Sequence, residues 1–327
     1  MRIPYSKLKA ELQLILEVHG MSRDRAAICA GIFSDNSRDG VYSHGLNRFP
    51  TFIQMLKDGL VKPMAEPERI AKNGAMEQWD GQLAPGMYTA TLAMDRAIDL
   101  AREFGLGAVA VRNTNHWMRG GTYGWQAADA GCIGFCTTNT IANMPPWGGT
   151  EPTLGNNPLV LAVPRAKGHV VLDMALSQYS YGKMQEYALK EEELPLAGGY
   201  DEYGELSRNP TKIREAERPL PIGYWKGSGL SLVLDVLVAS LSGGRTVAQI
   251  SSEAQEAGVS QFFLCMHTPF LDDQICDQII EFTKTSAPVK TDGKIRYPGE
   301  STLHTRQENE AKGIPVDHAI WEQVRKM

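Results

Sequence analysis

Residues 69–79 read RIAKNGAMEQW, and the architecture turns on them. Asn73-Gly74 lies between two strand-like runs, and Asn-Gly is the preferred centre of a type I′ hairpin, where both central residues need positive φ. Parallel neighbours in a sheet are joined by long crossovers and have no tight hairpins. The stretch therefore predicts a sheet of mixed direction.

Helices dominate on its N-terminal side. Tyr5, Leu8, Leu12 and Ile15 recur at helical spacing, and Gly20 supplies a stop. Ser22 is placed to cap a second helix carrying Ala26, Ala27, Ile28 and Phe33. Phe52, Ile53, Met55 and Leu56 give another apolar face that closes near Gly59. On the C-terminal side a long helix is expected over 88–103. Buried strands follow at AVAV (108–111), IGFCTT (133–138), LVLAV (159–163) and HVVLDM (169–174). A strong helix is expected after Gly229, ended by Gly243-Gly244, then the strand QFFLCM (261–266) and helices around 271–285, 302–312 and 316–326. Strands and helices interleave while hairpins are present, so the class is α/β with a mixed sheet. A Rossmann domain has no support. Gly105-Leu106-Gly107 and Gly227-Ser228-Gly229 both lack the third glycine of G-x-G-x-x-G.

The bulk properties exclude several classes. Hydrophobic residues make up 43% and charged residues 22% of 327, an ordinary globular balance with enough chain for a large core. The net charge is -5 and no run of Lys and Arg stands out, which argues against nucleic acid. No stretch approaches the ~18 continuous apolar residues of a membrane helix. Lys7, Lys9 and Glu11 interrupt any secretory signal core, so the cytoplasm is expected. Cys29, Cys132, Cys136, Cys265 and Cys276 make an odd count, read as reduced thiols in the core. Metal-ligand spacing is absent, so no metal is expected, and no G-x-S-x-G supports a serine hydrolase.

Five segments could carry chemistry. In GVYSHGLNRFP (40–50), His44 can give and take a proton near neutral pH, and Arg48, four residues on, can grip a carboxylate bidentately. An acid beside an anion clamp suits a 2-oxo acid. His116 in NTNHWMRGGTYGWQ (113–126) follows a strand, where α/β proteins place sites, and Gly120-Gly121 permit close approach of a ligand. Gly155, Asn156, Asn157 and Pro158 read as a structural turn. Lys226 precedes glycines and a helix, a combination suited to phosphate. Glu300 within YPGES (297–301) is placed to hold ribose hydroxyls. Each segment alone also reads as an ordinary turn or cap.

Taken together and in order, the segments resemble the malate and L-lactate dehydrogenase family of the non-Rossmann type, closest to its sugar-acid branch. The carrying stretches are GVYSHGLNRFPTFIQ (40–54), EQWD (77–80), NHWMRGGTYGWQAADAG (115–131), IANMPPWGG (141–149), GNNPLVLAVP (155–164), VLDMALSQYSYGK (171–183), LPIGYWKGSGLSLVLD (220–235) and PGE (298–300). The resemblance implies a mixed, largely antiparallel seven-stranded sheet with a helical N-terminal region, a nicotinamide cofactor (NADH, with NADPH left open) and a homodimer with its site near the subunit interface. By position, His44 resembles the general acid, and Ser43, Arg48 and His116 the substrate-side groups. The cofactor wall would be His169, Val170, Val171, Leu172, Asp173, Met174 and Ala175. Trp225 and Lys226 would meet the cofactor, and Gly299, Glu300 and Ser301 would close over the nucleotide. The family usually has Gly-Thr-Asn-Pro where this chain has Gly155-Asn156-Asn157-Pro158, which removes a hydroxyl on the substrate side.

The expected organisation is a helical, substrate-side and dimerisation region (1–80 with 270–327) around a mixed-sheet nicotinamide region (81–269), or one continuous domain. The expected reaction is reduction of a sugar-derived 2-oxo acid, most simply a 2,3-diketo sugar acid. The alternatives are dehydrogenation of malate, lactate or ureidoglycolate, reduction of a cyclic imine acid, or a non-catalytic nucleotide- or sugar-acid-binding protein.

Overall fold

The N-terminal helices follow their apolar periodicity in a computed structural model, which describes residues 1–253 and 255–327. After a two-residue strand β1 (Arg2–Ile3), α1 (Tyr5–Val18) buries Leu8, Leu12, Ile15 and Leu16 against α2 (Arg23–Arg38). Ser22 stands at the N-cap of α2, but its side chain makes no capping bond. Two 3-10 turns, Tyr42–His44 and Leu46–Arg48, lead into α3 (Phe49–Lys57), where Pro50 falls in the first turn and no N–H is needed.

The hairpin forms from β2 (Glu68–Asn73) and β3 (Met76–Asp80). Its centre is shifted by one residue. Asn73 pairs with Met76, and Gly74, at φ +58°, is the first of the two loop residues, the glycine place of a type II′ turn. α4 (Gly86–Phe104) then returns the chain as β4 (Leu106–Thr114), parallel to β3. α5 (Gly121–Asp129), β5 (Ile133–Thr138), β6 (Leu159–Val163) and β7 (Val170–Met174) follow. A small lobe of α6 (Tyr181–Leu189), β8 (Gly199–Tyr200), β9 (Leu206–Ser207) and α7 (Pro210–Ala216) precedes α8 (Trp225–Ser242). Then come α9 (Val247–Ser251), β10 (Val259–Met266), α10 (Asp273–Lys284), α11 (Glu300–Lys312), β11 (Ile314–Pro315) and α12 (His318–Val324).

Seven strands share one sheet in the order β2-β3-β4-β10-β5-β6-β7, antiparallel except for β3 beside β4. This is the mixed, largely antiparallel sheet expected, and it draws on residues 68–80 as well as on those beyond 81. Alternation along β4 sends Val109 and Val111 into the core with α4 and α5. Ala108 and Ala110 go to the opposite face, under Leu237, Val238 and Leu241 of α8. Cys29, Cys132, Cys136 and Cys265 are buried and Cys276 is half-buried.

Two expectations are corrected. HVVLDM is not a buried strand, because β7 is the edge of the sheet and is partly exposed. The helix expected after Gly229 begins at Trp225, because the preceding turn supplies acceptors for its first amides. Lys226 N–H donates to Gly223 O (3.3 Å) and Gly227 N–H to Ile222 O (2.9 Å). At the ends of the chain, β1 pairs with β11, and Trp321 and Val324 of α12 share a core with Leu8, Leu12 and Phe33. Among the described residues no helix is long and apolar enough to cross a membrane.

Candidate active site

The 3-10 turns over 42–48 are fixed from α2. Asn36 Nδ2 donates to the carbonyl of His44 (2.9 Å), and Ser37 Oγ accepts from Leu46 N–H (2.9 Å). His44 and Arg48 therefore sit on two consecutive tight turns, not on one α-helical face, yet both line the same cavity of about 600 Å³. Ser43 and His116 line it too, so the four substrate-side residues expected from the sequence come together.

The rings of His44 and His116 stack at 5.7 Å between centroids and 18° between planes. His116 Nδ1 accepts from Met118 N–H (3.0 Å), so in the neutral ring the proton is carried on Nε2. Ser43 Oγ lies 3.1 Å from His44 Nδ1, leaving His44 Nε2 without a protein partner among the described residues. Burial and then the neighbouring His116 push the His44 imidazole down to about 4. Arg48 and Arg119 act in the same direction, and the Asp173 carboxylate opposes them. Burial and Arg48 bring His116 to about 3. Both imidazoles are neutral at pH 7.

Behind the histidines runs a buried ionic network. Arg119, 7% exposed, donates to Asp39 (3.0 Å) and to Asp173 (3.1 Å), and Arg306 of α11 grips Asp39 through two 2.8 Å bonds. Burial raises the Asp39 carboxyl, but Arg306, Arg119 and Arg38 outweigh it and hold the group below its usual value. The network corrects one expectation. The space that a Cβ on Gly121 would occupy is filled by Asp173, whose Oδ2 lies 2.4 Å from that position, so this glycine admits the chain's own carboxylate and not a ligand.

The residues expected at a cofactor gather along β7. Gly299 has φ +96°, and a Cβ there would come within 3.1 Å of His169 O and Val171 N, so the 297–301 turn packs directly on the strand. Val171 N–H donates to Pro298 O (2.9 Å). Gly299 caps α11, and the amides of Ser301 and Thr302 have no protein acceptor among the described residues. Glu300 contacts Lys284 and accepts from Tyr297 N–H (3.2 Å), and Ser301 Oγ accepts from Arg296 (3.1 Å). His169 is tied through its ring to Asp129 (3.0 Å) and to Arg165 N–H (3.0 Å). An apolar cavity of about 290 Å³ lies between Val163 and Val170 on one side and Ile279, Ile280, Tyr297 and Pro298 on the other. Trp225 and Lys226 sit past the far end of β7, joined to it by the bond from Ile222 N–H to Leu176 O (2.8 Å). The amides of Lys226 and Gly227 are already bonded to the entry turn of α8, which leaves the Lys226 ammonium, and not those two amides, for an anion there.

Sequence reading missed Thr140, Asn143, Asn156, Tyr181 and Glu256, all of which line the active-site cavity. In sequence Asn156 reads as part of a plain turn, although its departure from the Gly-Thr-Asn-Pro pattern points to this wall. Nothing local marks Asp39 and Arg306, which meet across 267 residues. No cluster of three metal-ligating side chains occurs among the described residues.

A mixed sheet without a Rossmann unit, with a cavity lined by two histidines and an arginine, defines an α/β dehydrogenase of a separate fold. A family model described as malate/L-lactate dehydrogenase matches residues 3–325, and the chain belongs to that family, whose members are oxidoreductases acting on CH–OH groups. It is 44% identical to proteins of Citrobacter koseri and Pasteurella multocida named 2,3-diketo-L-gulonate reductase, over the full length of both chains. Its fold is similar to the sulfolactate dehydrogenase of Methanocaldococcus jannaschii (TM-score 0.90, 29% identity, covering 100% of this chain and 96% of that one). It is also similar to the delta1-piperideine-2-carboxylate reductase of Pseudomonas syringae (TM-score 0.86, 26% identity, 100% and 99% covered).

Proposed function

We propose that this chain is a nicotinamide-dependent reductase of a sugar-derived 2-oxo acid, converting 2,3-diketo-L-gulonate to 3-keto-L-gulonate, with His44 as the proton donor. The observation that carries the reading is the convergence of His44, His116 and Arg48 in one cavity. The names of the 44%-identical relatives supply the substrate.

Arg48 holds the substrate carboxylate by paired, charge-assisted bonds. Protonated His44 gives its Nε2 proton to the carbonyl oxygen as the alkoxide forms, and Ser43 fixes the ring through Nδ1. His116 donates from Nε2 and polarises the same region without titrating. In the free protein the positive charge on Arg48 disfavours the imidazolium. A bound carboxylate offsets that charge, so substrate arrival raises the affinity of His44 for its proton. Running backwards, neutral His44 takes the proton from a 2-hydroxy acid.

When bound, a reduced nicotinamide supplies the hydride. The residues present fit such a group. The cavity beside Val170 suits a flat base, the Ser301 and Thr302 amides and the Lys226 ammonium suit phosphates, and the segment from His169 to Ala175, which contains β7, forms the wall between them. Gly299, Glu300, Ser301 and Trp225 complete it, and NADH is the proposed form. A homodimer is proposed as well. α8 carries Leu232, Val233 and Val236, each more than half exposed on the side away from the sheet, a face that a second copy would cover.

The test is NADH oxidation, followed by absorbance, with 2,3-diketo-L-gulonate beside pyruvate, oxaloacetate and a cyclic imine acid. Preference for the diketo acid is expected. Preference for another acid keeps the mechanism and replaces the substrate. NADH binding without turnover of any acid would leave a non-catalytic binding protein.

A further inference from the structure

The active-site cavity carries a second set of polar side chains that proton transfer does not use. Asn156 stands in the turn before β6, half-buried at the cavity wall. Its Oδ1 accepts from Asn143 Nδ2 (3.2 Å) and shares the single Thr140 Oγ1 proton (3.2 Å) with the carbonyl of Ile141 (3.1 Å). Three further contacts hold the turn itself. Leu176 N–H donates to Asn156 O (2.8 Å), Asn143 N–H to Leu154 O (2.9 Å), and the adjacent Asn157 Nδ2 to Ser231 O (2.9 Å). Asn143 is braced in turn by Tyr181, whose hydroxyl donates to its carbonyl (3.3 Å).

The carboxamide of Asn156 is thus fixed through its oxygen, while its Nδ2 has no acceptor among the described residues. A pair of donors held on a half-buried wall favours a ligand that offers acceptors in place of water. An unpaired donor of this kind disfavours a ligand that covers it with methyl or methylene groups. The cavity, at about 600 Å³, also has room for a chain well beyond the carboxylate and the reacting carbon.

We infer that Asn156, held by Thr140 and Asn143, donates to hydroxyl or carbonyl oxygens on the distal chain of the acid and selects polyhydroxylated acids over short apolar ones. The inference rests on the reading that this cavity takes a 2-oxo acid. Thr140 and Asn143 are positioning residues here, and Asn156 is the specificity-determining one.

The test uses non-reacting acids, so it can fail apart from the catalytic reading. Binding of a six-carbon aldonate (gluconate) and of lactate is measured by calorimetry on the full chain without cofactor. The wild type is expected to favour gluconate, and Asn156→Leu to lower the gluconate-to-lactate affinity ratio about tenfold or more. Thr140→Val, which frees the carboxamide to rotate, is expected to lower the same ratio by a smaller factor. Near-UV circular dichroism checks that each variant is folded. Asn156→Thr, a small polar replacement, keeps the test open if the leucine variant fails to fold, and should lower the ratio severalfold. A wild type without preference, or a ratio unchanged in folded Asn156 variants, overturns the inference. Failure of every oxo acid to turn over in the separate NADH assay overturns only the catalytic reading.

Discussion

At the scale of single residues, His44 carries the largest consequence. His44→Ala should lower kcat by about 10²–10⁴ while NADH affinity, read by fluorescence titration, is kept. An unchanged kcat would remove His44 from the chemistry. The depressed imidazole fixes the sign of the pH dependence. Reduction needs the protonated ring, fully present in the free protein only below about 4, so kcat/KM for the oxo acid should fall tenfold per pH unit between pH 5 and 8. Oxidation of the hydroxy acid needs the neutral ring and should be flat over the same range, declining only as pH falls toward 4. A reduction plateau reaching pH 7 would contradict the assignment. The pairing of His44 with Arg48 was legible in sequence because four residues separate them. The stack with His116, 72 positions away, was not, since nothing in a local window encodes the ring-to-ring distance.

At the scale of elements, the contact between the 297–301 turn and β7 shapes the proposed cofactor wall. Gly299→Ala would force a side chain into left-handed backbone and against His169 O and Val171 N. NADH affinity should drop about tenfold or more and the melting temperature should fall. Affinity unchanged in a variant that melts lower would make the turn a structural clasp only. The strands themselves were readable from their apolar runs, and the hairpin from its glycine, although the loop is Gly74-Ala75 and not the expected Asn73-Gly74. Two features escaped. The exposure of β7 is set by its edge place in the sheet order, and the early start of α8 depends on carbonyls of the preceding turn. Neither is a property of the segment's own residues.

At the scale of the whole molecule, Asp39 joins the N-terminal helices, the loop after β4 and α11 through Arg119 and Arg306. Asp39→Ala would leave Arg119 buried with half its compensation gone, a loss of about 3–5 kcal/mol, or some 6 °C or more in Tm. A change under 1 kcal/mol by denaturant titration would show that water replaces the carboxylate. Leu232→Glu on the exposed face of α8 should shift the protein from dimer to monomer in sedimentation velocity, whereas a wild-type monomer would refute the proposed assembly. One feature reaches beyond the finished fold. Because β1 pairs with β11, and Trp321 and Val324 complete the core begun by Leu8 and Leu12, the first helices emerge from the ribosome without their apolar partners. At about 5–20 residues per second, they wait some 15–60 s for them. Over that interval the nascent N-terminal segment exposes apolar surface to solvent and chaperones, and a stalled or shortened message would release a chain unable to close its core.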